Sequence, residues 1–359
     1  MDPKLKRIIE LIESKKKTSH PWKRQEPHNQ PYYTFSPTTS SWEATTPPGP
    51  SSASGRGSRS TTTTTGRTFT LVSWNIDFML PYPDERMKAA LNHLHSLTTT
   101  QTSNPTIILL QEMLESDLAL IQAQSWIRSG YNMTDVDNTH WESGHYGTVI
   151  LIPKSLPVKC VFRVHYEATV MERDALFVDL DIHGGGQTVR ICNTHLESLI
   201  ADPPRRPLQL ATAARYMRPH DHDGGAAAVT ASVLAGDLNA IQPFDKTLHS
   251  DNGLEDAYLS LGGQEDSDDG FTWGQQAPTK QRDMFGCSRM DKIFFCGAVE
   301  CTRFERIGTG VTADEEHVKG CLVREEGMDR GWVTDHLGVS ADFTVLRDDH
   351  DGLPIEPKI

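Results

Sequence analysis

No apolar run in these 359 residues approaches the ~20 needed to cross a bilayer, so a soluble protein without membrane attachment is expected. A secretory leader is also missing. Met1 to Lys17 mixes charges with single apolar residues and has neither an apolar centre nor a small-residue cleavage site, so export is not expected. Cysteine is scarce, six residues with no CxxC pair and no even spacing, in a chain too large to need covalent staples. That usage implies free thiols in a reducing compartment. No segment repeats with a period of 20 to 50 residues, which disfavours a solenoid or propeller. Zinc hydrolysis lacks its compact His/Cys ligand spacing such as HExxH, and a serine hydrolase lacks its GxSxG elbow.

Charge is distributed unevenly. Residues 1–67 carry 11 Lys/Arg against 5 Asp/Glu, a surplus of +6, whereas the remainder carries 24 against 43, a deficit of −19. An acidic body with a basic tail does not read as a general nucleic-acid coat. It does not exclude a polyanionic substrate, because a magnesium site needs carboxylates and a few local basic groups suffice for phosphate.

Composition divides the chain in three. Residues 1–67 form a basic N-terminal segment and linker: Leu5, Ile8, Ile9 and Ile12 recur at helical spacing between lysines, and residues 18–67 are rich in Pro, Ser, Thr and Gly. The former predicts a short amphipathic helix. The latter, ending in the threonine run Thr61 to Thr65, offers too few apolar groups to offset chain ordering and is expected to be unordered. Residues 68–347 read as one catalytic domain, and 348–359 as a C-terminal tail.

Within the domain, short β-rich runs alternate with helical stretches. The strands are expected at 69–75, 106–112, 148–152, 175–182, 189–195, 232–239, 292–295 and 336–346, and helices at 84–97, 116–127 and 207–217. Continuous apolar runs such as Ile107-Ile108-Leu109-Leu110 imply strands covered on both faces, and the alternating run 176–182 implies a strand buried on one face. Two packed mixed β-sheets flanked by helices satisfy both, an α/β fold. Gly184 to Gly186 reads as a hairpin turn with no phosphate-binding role.

Five strands end in polar residues that a strand does not need: Asn75 to Asp77, Gln111-Glu112, Asn193 to Ser198, Asp237 to Asn239, and Asp335-His336. Their recurrence points to one shared cleft built on strand ends. A hard cation such as Mg²⁺ takes oxygen ligands, which makes Glu112 the first candidate, with Asp77 or Asn75 beside it and Asp335 near. Phosphodiester hydrolysis needs an activated water and stabilised phosphoryl oxygens. Asp237 suits the first task, with Asn239 holding the water or the phosphate. His195 and His336 suit the second, and Asp291 is the expected partner of His336.

The ordered set Trp74-Asn75, Gln111-Glu112, Thr194 to Ser198, Gly236 to Asn239, Arg289 to Phe295 and Thr334 to His336 resembles the endonuclease/exonuclease/phosphatase superfamily, the fold of the DNase-I-like nucleases. The resemblance spans about Phe69 to Leu346 and implies a four-layer α/β sandwich that needs a divalent metal, Mg²⁺ with Mn²⁺ as a substitute. Phe271-Thr272-Trp273 and the positions of Tyr146 and Arg173 resemble the branch that releases a topoisomerase tyrosine from a DNA 5′-phosphate. By that resemblance Glu112 and Asp77 hold the metal, Asp237 is the acid/base, and Asn75, His195, Ser198, Asn239 and His336 contact the phosphate. Tyr146, Arg173, Trp273, Arg289 and Met290 then line the groove that takes the DNA end.

The implied partners are DNA 5′ ends carrying a tyrosyl or topoisomerase peptide adduct, met by a monomer in the nucleus, with the cytoplasm as a second location. Two features depart from the pattern. Ile241 stands where the family usually has an arginine two residues past the Asn, and residues 1–67 hold no recognisable ubiquitin-binding module. The competing readings are another branch (abasic-site endonuclease, RNA deadenylase, lipid or inositol phosphatase) and a noncatalytic scaffold, which the filled catalytic positions disfavour.

Overall fold

The computed structural model describes residues 3–17, 19–47, 68–100, 104–182, 187–218 and 229–346. The Gly184–Gly186 turn, the threonine run and the C-terminal tail lie outside them. In chain order the strands are β1 (Pro27–Asn29), β2 (Tyr32–Ser36), β3 (Ser41–Thr45), β4 (Thr68–Asn75), β5 (Thr106–Met113), β6 (Tyr131–Met133), β7 (Gly147–Pro153) and β8 (Val158–His165). They continue as β9 (Asp174–Leu180), β10 (Thr188–His195), β11 (Val229–Asp237), β12 (Glu255–Asp256), β13 (Asp291–Gly297), β14 (Val299–Ile307) and β15 (Gly338–Val345). The first five α-helices among the described residues are α1 (Pro3–Ser14), α2 (Pro83–Thr100), α3 (Glu115–Ala123), α4 (Ser125–Gly130) and α5 (Arg206–Met217).

Two mixed sheets result, ordered β1-β8-β9-β10-β11-β13-β12 and β14-β15-β4-β5-β7-β6-β2-β3. Their inner faces meet in a core that includes Phe69, Leu71, Ile107 and Leu109 of one sheet and Leu176, Ile191 and Val233 of the other. On the outer face of the eight-stranded sheet, Val72, Trp74 and Ile108 pack with Met87, Leu91 and Leu94 of α2. Phe177, Cys192 and Leu234 do the same against Leu210, Ala213 and Ala214 of α5. The order is helix, sheet, sheet, helix, the expected four-layer sandwich. Each buried Val, Leu, Ile, Phe or Met among them contributes roughly 1.5–3 kcal/mol of hydrophobic transfer.

Two expectations need correction. The run 176–182 was to have one exposed face, yet β9 is buried throughout. Its Asp179 is covered because Arg190 of β10 donates to both its oxygens, Nε at 2.6 Å and Nη2 at 2.8 Å, and a charge so paired can be buried. The segment at 27–45, expected to be unordered, forms β1 to β3. β1 pairs with β8 at the edge of one sheet, and β2 with β6 at the edge of the other. The segment is ordered because it supplies ladder partners to two strand edges, which its weak apolar content does not reveal.

The topology gathers the polar strand ends. β4 and β5 run parallel with Asn75 opposite Gln111, and β10 and β11 run parallel with His195 opposite Asp237. Antiparallel β13 brings its first residue, Asp291, opposite Asp237, and His336 lies just before β15. One edge of the sandwich therefore carries all of these groups.

Candidate active site

Gly236 permits this convergence. A Cβ there would lie 1.7 Å from the carbonyl oxygen of Thr194, so only glycine lets β11 approach β10 immediately before Asp237. Deeper between the sheets, Gln111 Nε2 donates to Asn193 Oδ1 at 2.8 Å, and Asn193 Nδ2 donates to the carbonyls of Leu110 and Val149 at 3.1 and 3.0 Å. This polar bolt joins the sheets directly beneath the site.

Asp237 lies at the centre. Its Oδ2 accepts from Asn75 Nδ2 at 2.9 Å, its Oδ1 accepts from the backbone N–H of Asn239 at 2.9 Å, and His195 Nε2 and His336 Nε2 stand 3.2 and 3.7 Å from Oδ2. Burial raises the Asp237 pKa, but the two imidazoles and the Asn239 N–H outweigh it and hold the carboxyl well below the usual range. It is an ionised acceptor. His336 is opposite: burial disfavours its charge, but Asp291 at 2.8 Å from Nδ1, with Asp335 and Asp237 near, raises its pKa well above the ordinary histidine value. The structure thus pairs His336 with Asp291 as the sequence suggests.

Arg173 Nη1 lies 2.6 Å from His195 Nδ1. A guanidinium only donates, so Nδ1 accepts and the ring proton sits on Nε2, toward Asp237. Arg173 Nη2 also donates to Ser198 Oγ at 3.2 Å.

Asp77, Glu112 and Asp335 form a second, acidic end. Burial, then Asp335 and Glu112, push the Asp77 carboxyl up to about 8, while Asp335 Oδ1 is buried with no hydrogen-bond partner among the described residues. Asp77, Glu112 and Asn239 all adopt positive φ, at 54°, 62° and 48°. Of the three, Glu112 bears the greatest backbone cost, since Asn and Asp tolerate the left-handed region. Mutually repelling carboxylates with an unpartnered oxygen fit a hard divalent cation, and Asp77 and Glu112 are the residues that would hold it. Among the described residues Asp237, Asp291 and His336 also bring ligand atoms within 4.8 Å of one another. The direct bond between His336 and Asp291 makes that group a hydrogen-bonded relay instead.

A cavity of about 1030 Å³ opens over both ends, with Trp273, Met290, Ser198 and Ile241 on its wall. Trp273 Nε1 donates to Asp335 Oδ2 at 2.7 Å, so the indole is both wall and brace. Arg289 also lines this cavity, whereas Tyr146 and Arg173, expected on the same wall, border a smaller pocket. Arg289 is buried in ion pairs with Asp256 and Glu265, which leaves its charge already matched. Tyr146 stacks on Phe78 (4.5 Å, 11°) beneath Arg173 and donates its hydroxyl to the Met171 carbonyl at 2.7 Å, so it supports Arg173 instead of offering a free face.

Three residues escaped sequence reading. All of the donating nitrogens of buried Arg86 serve backbone carbonyls, including those of Ile76, Asp77 and Val333, and fix the turn that carries Asp77. Glu197 accepts from the N–H groups of Val170 and Met171 and from Thr169 Oγ1, shaping the loop before Arg173. Phe78 is the stacking partner just described. Only Glu197 had a signal, its place inside the Thr194 to Ser198 motif.

The model of the endonuclease/exonuclease/phosphatase family matches residues 72–336. The chain belongs to this family. The family is one of phosphoric-ester hydrolases that generally use a divalent metal, in agreement with the acidic end of the site. No curated protein matches the sequence. Truncated Caenorhabditis elegans TDP2 is similar in structure, at TM-score 0.57 and 24% identity over 77% of this chain and 98% of that one. D. rerio TDP2 complexed with single strand DNA product gives 0.56 and 20% over 77% and 98%. The human Nocturnin catalytic domain with bound sulfate anion gives 0.51 and 16% over 79% and 96%. At these identities the likeness is one of fold. No helix among the described residues is long and apolar enough to cross a membrane.

Proposed function

We propose that the protein is a Mg²⁺-dependent phosphodiesterase that hydrolyses the 5′-phosphotyrosyl bond between a topoisomerase tyrosine and DNA, leaving a 5′-phosphate end. The observation that carries this reading is the cavity's two-sided chemistry. One end holds Asp237 and His336, with His195 behind Asp237 at 3.2 Å, and the mouth carries exposed apolar groups, with Leu199 65%, Ile200 73% and Phe285 68% exposed. Apolar surface of this kind, left open beside charged chemistry, suits stacking on bases and on an aromatic adduct without reading sequence. The D. rerio neighbour with a single-stranded DNA product supports the same ligand class.

A bound cation would supply charge neutralisation for the phosphoryl oxygens. The chain's own groups do the rest. Ionised Asp237 accepts a proton from the attacking water and passes it to the tyrosine oxygen as that oxygen's bond to phosphorus breaks, Asn239 and Asn75 orient the carboxylate, and His336 with Nε2–H of His195 donates to the phosphoryl oxygens. The reading takes the protein as a monomer. The DNA substrate gives the nucleus as the place of action.

A panel of a 5′-tyrosyl oligonucleotide, an abasic duplex, polyadenylate and an inositol phosphate tests the assignment. Preference for the tyrosyl substrate is expected. Dominant turnover of any of the others moves the protein to that branch of the family.

A further inference from the structure

The residues before β2 lie outside the family-matched span of 72–336, yet they reach the site's supporting shell. Lys17 places its ammonium on three carbonyls of one loop, Asn138 at 2.6 Å, Thr139 at 3.1 Å and Trp141 at 2.8 Å. Trp22 is 8% exposed, stacks on His165 (4.1 Å, 13°) and donates from Nε1 to Glu142 Oε2 at 2.6 Å. Arg24 donates to the other Glu142 oxygen at 2.8 Å. Gln30 Nε2 then donates to the Thr134 carbonyl at 2.8 Å, and its Oε1 accepts from Arg163 at 3.0 Å.

Glu142 is buried, so its charge demands these partners. From it two short routes lead inward. Along the loop, four residues on, Tyr146 supports Arg173 from below. Through space, His165 Nδ1 lies 3.1 Å from Glu142 and 3.5 Å from Asp174, the neighbour of Arg173. Arg173 in turn fixes the His195 ring. Glu142, Tyr146, Arg173, Asp174 and His195 border one small pocket.

We propose that residues 15–17 and 19–30 are a positioning element of the catalytic centre, holding Glu142 and its loop so that Arg173 presents His195 correctly. This rests on the hydrolase reading above. None of the residues in the element touches the reacting atoms. Their effect is on the placement of His195, and small misplacements of catalytic groups are costly.

The test uses the full chain with Trp22→Phe, which keeps the ring and removes the donor, and Arg24→Ala. Each is expected to lower kcat about tenfold with KM nearly unchanged, and Arg24→Lys is expected to recover most of the loss. A double-mutant cycle of Trp22→Phe with Arg173→Lys is expected to be non-additive, since both act on one linkage. Unchanged kcat in variants of lowered melting temperature, or strict additivity, would overturn the proposal. Amide hydrogen exchange of residues 142–147 and 172–174 gives a substrate-free readout, with faster exchange in Trp22→Phe expected. If wild type fails to cleave any phosphoester, the reaction reading fails, and unchanged exchange in these residues then overturns the positioning proposal separately.

Discussion

Arg173 and His195 meet at 2.6 Å, Nη1 to Nδ1, and that contact puts the ring proton on Nε2, the nitrogen that faces Asp237. Arg173→Lys keeps the charge and loses the fork that reaches His195 and Ser198 together. A fall in kcat of about 10- to 100-fold is expected in steady-state kinetics, without loss of fold. Wild-type kcat would mean that His195 orients itself.

Asp237 is held ionised among two imidazoles, so Asp237→Asn removes the proton acceptor while preserving size and the Asn239 N–H contact. Turnover is expected to drop about 10³-fold or more, with binding of an oligonucleotide 5′ end retained within a few-fold. Fluorescence anisotropy beside kinetics separates the two effects.

The repulsion among Asp77, Glu112 and Asp335 makes the acidic end a destabilised feature of the metal-free chain. Added Mg²⁺ is expected to raise the melting temperature of the wild type through preferential binding to the folded state. Asp77→Asn is expected to melt higher than wild type without metal and to respond little to Mg²⁺. Glu112→Ala is expected to lose the metal response and turnover together. Equal Mg²⁺ shifts in all three proteins would remove these carboxylates from the metal site.

Glu142 gives a pH dependence away from the metal. Burial pushes its carboxyl up, but the contacts from His165 and Trp22, with the His165 and His20 charges, hold it down to about 2. A folded value below the ordinary 4.5 stabilises the protein above that pH, and the contribution fades as pH falls toward 2. Between pH 7 and pH 3.5 Glu142→Gln is expected to lose less of its melting temperature than wild type does, because it lacks this titration. Parallel losses in the two proteins would show that the carboxylate is not held.

The strand ends were legible because the apolar stretches of β4, β5, β10 and β11 give way to polar residues at Asn75, Glu112, His195 and Asp237, a contrast visible without any structure. The helices were legible from periodicity, although the stretch 116–127 divides at Gln124, where the backbone is extended between α3 and α4. What stayed hidden depends on partners distant in sequence. Arg289 reads as a free cation until Asp256 and Glu265 are brought to it, and Tyr146 as an open platform until Phe78 and Met171 cover it. The strands at 27–45 were hidden for the same reason. Their order comes from the edges of β8 and β6, and Trp22 is anchored by Glu142 120 residues away.

The most direct measurement is release of tyrosine from a 5′-phosphotyrosyl oligonucleotide, with and without Mg²⁺, beside an abasic duplex and the Asp237→Asn variant. Mg²⁺-dependent release by the wild type, absent in the variant and with the abasic duplex left intact, is the expected result. Incision of the abasic duplex without tyrosine release would contradict the account.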